Sequence, residues 1–136
     1  TGRAAAARLI PLYSHGFDAP EGALAALAAG LAPHLPLTVC LLGMGADMHT
    51  ASLFPGADRL AEALSPDAPL ILPMRAEAAG EPRITLTAPV LAGAKHIHIL
   101  ITGAEKRAAL ARALTLPPEI APVRAVLDTA TVHWAD

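Results

Sequence analysis

One junction limits what this chain can fold into more than any other feature. Leu37-Thr38-Val39-Cys40-Leu41-Leu42 is a short, mostly apolar run with β-branched content. Gly43-Met44-Gly45-Ala46-Asp47-Met48-His49 follows it without a break. A run of that length bounded by a glycine turn reads as a buried strand. The turn then sets an acid and an imidazole where a parallel strand would end. In open α/β sheets that carboxyl edge is where ligands bind.

The rest of the chain alternates between strand and helix signals. Arg3 to Leu9 is alanine-rich and predicts a helix, with Thr1 or Gly2 near its start as a cap. Pro11 and Tyr13-Ser14-His15-Gly16 break it. Asp18-Ala19-Pro20-Glu21 is a helix start, because Asp can cap, Pro fits the first turn and Glu lies three residues on. That helix runs through Leu24, Leu27 and Leu31 until Pro33 and Pro36 end it. Residues 58–64 read as helix, 70–74 as strand, 76–82 as loop and 83–87 as strand. A short helix near 89–94, a strand over 96–102 and a helix over 104–114 follow. Pro117-Pro118 marks a turn. Val123 to Leu127 and Thr131 to Trp134 read as final strands, or as one strand and a loop. Such alternation predicts one α/β domain over residues 1–136 with a mostly parallel sheet.

Composition agrees with that class. Of 136 residues 54% are apolar but only 3% aromatic, so Ala, Leu, Val and Ile must build the core. A formal charge of −2 leaves no electrostatic footprint for nucleic acid or an anionic membrane. An anionic ligand would have to be held by a few local cations. Cys40 is the single cysteine, which rules out an intrachain disulfide and fits a reducing, cytoplasmic setting. No signal peptide or apolar stretch of about 18 residues stands out. The chain begins without an initiating Met, as a fragment would.

Several residues invite a chemical reading. His49 lies two residues after Asp47, and the Thr50-Ala51-Ser52 segment after it can begin a helix. An imidazole suits a base that takes a proton from water. Asp47 could hold the ring in the useful tautomer or contact a ligand hydroxyl. Gly43-x-Gly45 hints at a dinucleotide site, but Met48 stands where the third glycine belongs. Lys106 falls near the start of a helix, where amide groups and the helix dipole favour a phosphate, but on spacing alone, in the run Glu105-Lys106-Arg107, it reads as an ordinary surface lysine. Arg83 opens a strand after a loop and is either an anion ligand or a surface ion-pair partner. His96 and His98 share one strand face but lack a third ligand at a recognisable spacing, so no metal is expected. Ser52 lies outside any G-x-S-x-G elbow and reads as a packing or capping residue. Trp134 reads as a core anchor.

The run Gly43-Met44-Gly45-Ala46-Asp47-Met48-His49-Thr50-Ala51-Ser52-Leu53-Phe54-Pro55-Gly56 resembles the GxGxDGHTASLFPG signature of the 6-phosphogluconolactonases, within the glucosamine-6-phosphate isomerase/lactonase superfamily. Arg83-Ile84-Thr85-Leu86-Thr87 is similar to that family's RITLT strand. Thr102-Gly103-Ala104-Glu105-Lys106 resembles its TGxxK element, and Val132-His133-Trp134-Ala135-Asp136 its closing strand. The family's front portion, with a Gly/Ser-rich phosphate loop and an Asp-Glu-Arg stretch, has no counterpart, so the chain resembles the back portion of a lactonase. The resemblance implies a three-layer Rossmann-like sheet flanked by helices and hydrolysis of 6-phospho-D-glucono-1,5-lactone in the oxidative pentose phosphate pathway. It implies His49 as general base oriented by Asp47, with Gly43, Gly45, Arg83 and Lys106 binding substrate and phosphate, and neither cofactor nor metal. The expected partner is a small sugar phosphate, with no nucleic acid and no membrane. Alternatives are an amino-sugar-phosphate isomerase, a sugar-phosphate sensor module and a truncated remnant without activity. Met48 departs from the family glycine. In a left-handed conformation it would cost about 1–2 kcal/mol, its side chain could crowd the pocket, and Met48→Gly would then raise activity.

Overall fold

A computed structural model describes residues 2–12 and 20–136. The expected cap at Thr1, the break at Tyr13-Ser14-His15-Gly16 and the cap at Asp18 lie outside the described residues. The protein is a mixed α/β structure with a mainly parallel sheet flanked by helices. Its central sheet has three parallel strands in the order β1-β4-β5, namely Val39–Gly43, His96–Thr102 and Ala130–Ala135. A separate antiparallel ladder pairs β2 (Ile71–Met74) with β3 (Arg83–Leu86). The helices are α1 (Leu24–Leu31), α2 (Leu60–Leu64), α3 (Ala88–Ala92), α4 (Gly103–Ala113) and α5 (Arg124–Leu127).

Alternation along β4 explains how the sheet is seated. Ile97, Ile99 and Ile101 point into the core, and His96, Leu100 and Thr102 point away from it. Cys40 of β1 joins the inward set, with Ala109 and Ala113 of α4 and Val126 and Leu127 of α5. Two alanines let α4 lie close to the sheet, so a core poor in aromatics still packs densely. Burial pushes the Cys40 thiol up from its ordinary value, and the residue behaves as a small core hydrophobe. All four residues of β2 are buried, and Met44, Leu53 and Leu60 connect the loop after β1 to the same core.

Four expectations are corrected. Arg3 to Leu9 is not a helix: only Gly2–Ala4 form a 3-10 turn, and residues 5–9 are exposed. Alanine propensity cannot hold so short a helix without a packed face. Within the expected strand Val123 to Leu127, Arg124–Leu127 form helix α5 with Val123 as its N-cap. Val123, Val126 and Leu127 are buried at spacings of three and four, the helical period. Thr50-Ala51-Ser52 does not begin a helix but turns tightly, with a bridge between Thr50 and Leu53 and Ala51 at φ 51°. Trp134 is 38% exposed. It occupies the end of an edge strand, where its indole N–H donates to the Gly103 carbonyl at 3.1 Å and the Arg107 guanidinium lies 4.5 Å over the ring. It therefore fastens β5 to the first turn of α4.

Candidate functional site

The loop leaving β1 is set by its own hydrogen bonds. Gly45 N–H donates to the His49 carbonyl and Met48 N–H to the Gly45 carbonyl, each at 3.0 Å. Thr50, fully buried, donates its hydroxyl to the Gly43 carbonyl at 2.8 Å. Val123 N–H donates to the Met48 carbonyl at 3.1 Å, and Arg112 of α4 donates to the Ala46 carbonyl at 3.3 Å. Met48 takes φ 69°, the left-handed conformation that its family glycine would adopt freely. Its side chain packs against the hydrophobic core and is absent from the cavity wall described below, so it does not crowd the site.

This loop brings Asp47 and His49 together. Asp47 Oδ1 lies 2.6 Å from His49 Nδ1 and also accepts the His49 backbone N–H at 3.2 Å. With Nδ1–H donated to the carboxylate, the ring keeps its Nε2 lone pair for a substrate or water. Phe54 supports the ring from another side, with centroids 4.3 Å apart and planes tilted by 31°. Gly45 provides the space: a Cβ there would overlap Nδ1 and Cε1 of His49 and Oδ1 of Asp47. The second glycine of the motif is thus needed because the acid–imidazole pair lies against its backbone.

A cavity of about 360 Å3 opens beside the pair, lined by Gly43, Met44, Gly45, His49, Ala51 and Lys106. Lys106 projects from the first turn of α4, which starts where β4 ends. β1 and β4 run parallel, so both carboxyl ends deliver their loops to the same edge. The Lys106 ammonium makes no hydrogen bond or ion pair among the described residues, which leaves it free for an anion. Gly43, Gly45, His49 and Lys106 therefore share one cavity, and Asp47 touches it through His49.

Arg83 stands apart. Its guanidinium pairs with Glu81 at 3.4 Å and donates to the Ala79 carbonyl at 3.3 Å, and it does not line the cavity. His98 bonds His133 across β4 and β5, with Nδ1 and Nε2 3.0 Å apart. Ser52 N–H donates to the Thr85 hydroxyl at 3.2 Å, a packing role that ties the loop to β3. Phe54 and Arg112 complete the loop's supports. Phe54 lies five residues from His49 within the motif, whereas Arg112 is 66 residues from Ala46 and carries no local signal.

The sequence pattern of the family described as glucosamine-6-phosphate isomerases/6-phosphogluconolactonase matches residues 2–134. A 6-phosphogluconolactonase of Mesorhizobium japonicum is 45% identical over 137 residues, covering 97% of this chain and 57% of its own. One from Pseudomonas aeruginosa is 42% identical, with 98% of this chain and 57% of its own covered. A crystal structure of a 6-phosphogluconolactonase from Shewanella baltica matches with a TM-score of 0.84 at 30% identity, over 92% of this chain and 55% of that one. The chain spans a little under three-fifths of the length of the curated relatives it matches.

Proposed function

The chain belongs to the glucosamine-6-phosphate isomerase/6-phosphogluconolactonase family, and from that premise we propose that it carries the hydrolytic centre for 6-phospho-D-glucono-1,5-lactone. The observation that carries this reading is the Asp47–His49 pair, with Nε2 left open beside a cavity that Lys106 also lines. Water held by Nε2 attacks the lactone carbonyl as the imidazole takes its proton, and Asp47 steadies the imidazolium that forms. The ring C–O bond then breaks, the proton passes to the departing ring oxygen, and 6-phosphogluconate results. The developing oxyanion would be met by loop amides other than those of Gly45, Met48 and His49, which already donate within the loop. Lys106 holds the distal phosphate, so binding remote from the reacting carbon positions it. Arg83, engaged with Glu81, would have to turn from that pair to reach an anion. The site needs no cofactor or metal for these steps. A cytoplasmic setting goes with the substrate, a charged sugar phosphate that does not cross membranes unaided.

The test compares lactone hydrolysis, corrected for the spontaneous reaction, with deamination of glucosamine 6-phosphate. Lactone turnover that falls about 10²–10⁴-fold in His49→Gln, with the thermal transition preserved, supports the reading. Turnover of the amino sugar alone would assign the isomerase. The relatives' extra length favours a second reading, in which this chain binds a sugar phosphate without catalysis. Binding of 6-phosphogluconate with no turnover of either substrate would establish that one.

A further inference from the structure

Trp134 is distant in the chain from the Asp47–His49 pair, but its contacts meet at the turn that carries Lys106. Helix α4 leaves the end of the middle strand β4, with β1 on one side and β5 on the other. Its first residue, Gly103, takes φ 84°, so strand and helix join at a left-handed glycine with no side chain to fix the angle between them. β5 supplies what that turn lacks. Trp134 lies beside Ile101 of β4, which shares the core with Ala109 and Ala113 of α4, so the indole stands on the sheet face that the helix covers. Its N–H donates to the Gly103 carbonyl at 3.1 Å, and the Arg107 guanidinium lies 4.5 Å from the ring centroid. Gly103 and Arg107 are four residues apart, about one helical turn. Two contacts one turn apart hold both the start of α4 and its rotation about its own axis.

That rotation decides where Lys106 points. Consecutive helical residues project about 100° apart. With Arg107 held on the β5 side, Lys106 falls on the β1 side, where it lines the cavity with Gly43, Gly45 and His49. We propose that Trp134 is a positioning residue for the Lys106 ammonium. Together with Arg107 it locks the first turn of α4, so that the cation faces the cavity before an anion binds. The proposal rests on the reading of Lys106 as the phosphate contact and adds to it the residue that aims that contact.

The experiment titrates the chain with 6-phosphogluconate by calorimetry and records thermal unfolding beside it. Trp134→Phe removes the N–H and keeps an aromatic ring; Arg107→Lys keeps the charge and gives up the planar stack. Each is measured alone and in the Lys106→Ala background. Trp134→Phe should weaken binding about threefold or more, the scale of one hydrogen bond, and Arg107→Lys should act in the same direction. In the Lys106→Ala background neither should weaken binding further, because residues that act through one contact are not additive. A tryptophan that merely supports the fold would lower the thermal transition and add its loss to that of Lys106→Ala, and this result overturns the proposal. If Trp134→Phe loses its transition altogether, the same comparison with Arg107→Lys decides. Binding unchanged in both single variants while Lys106→Ala weakens it also overturns the proposal and leaves the phosphate contact standing. A chain that takes no 6-phosphogluconate, or a Lys106→Ala variant that binds it as well as the wild type, refutes the phosphate reading and the positioning role with it.

Discussion

Gly45→Ala separates the proposed site from the fold more cleanly than removal of either side chain of the Asp47–His49 pair. Gly45 is not among the positive-φ glycines, so its backbone accepts a Cβ, and the lost flexibility of the unfolded chain is worth about 0.4–1 kcal/mol in favour of the native state. The new methyl would instead overlap the His49 ring and the Asp47 carboxylate. Both belong to side chains 30% and 40% exposed, which can swing outward without disturbing the core. Stability should therefore change by no more than about 1 kcal/mol, or roughly 4 °C in Tm for a domain of this size. Activity should fall sharply, because the two groups can no longer hold their bond and the ring leaves its place beside the cavity. General-base assistance is worth about 10²–10⁴-fold, and most of it should go. The assay is corrected lactone hydrolysis beside thermal unfolding and the imidazole NMR signals. An unchanged rate would refute the reasoning, as would a Tm lowered by 10 °C or more, since the glycine would then serve the fold.

Three further outcomes are expected. Lys106→Ala should raise KM about tenfold or more for the phosphorylated lactone and far less for gluconolactone, since a charge-assisted hydrogen bond is worth about 1.5–3 kcal/mol; equal shifts would make the lysine a surface residue. Thr50→Val removes the hydroxyl that bonds the Gly43 carbonyl and should cost about 0.5–1.5 kcal/mol in denaturant unfolding; an unaltered midpoint would show the bond to be idle. Met48→Gly relieves a left-handed residue worth about 1–2 kcal/mol but gives up core contact of similar size. Net stability should stay within about 1 kcal/mol with the lactonase rate unchanged, and a severalfold faster enzyme would mean that the side chain obstructs the site.

Local signals served the sequence reading wherever tertiary contacts agreed with them. β1, β3, β4 and α4 fell within two residues of their expected bounds, because apolar runs and glycine or proline punctuation define them. Val123, Val126 and Leu127 carry a helical period, but the β-branched residues drew the reading toward strand, and four residues are too few for propensity to settle. In the site, Asp47 and His49 were legible because two residues of separation in a glycine turn suffice to bring them into contact. The sharing of one cavity by His49 and Lys106 follows only once β1 and β4 are known to be parallel neighbours. The place of Arg83 beside Glu81 depends on the β2–β3 ladder, whose register no motif encodes.

The loop also shows why an energetically awkward residue can persist in it. Met48 and Ala51 both adopt left-handed conformations without being glycine, at about 1–2 kcal/mol apiece. Against that stand the bonds from Met48 to Gly45, Gly45 to His49, Val123 to Met48 and Leu53 to Thr50, together with the buried bond from Thr50 to Gly43. Each contributes about 0.5–1.5 kcal/mol net, so their sum offsets the backbone cost. Three of them originate outside the segment from Gly45 to His49, in Thr50, Leu53 and Val123, the residue that caps α5, so the imidazole is not positioned by its turn alone. A loop held in this way presents its imidazole in a fixed place before any ligand arrives, the arrangement that the proposed proton transfer would require.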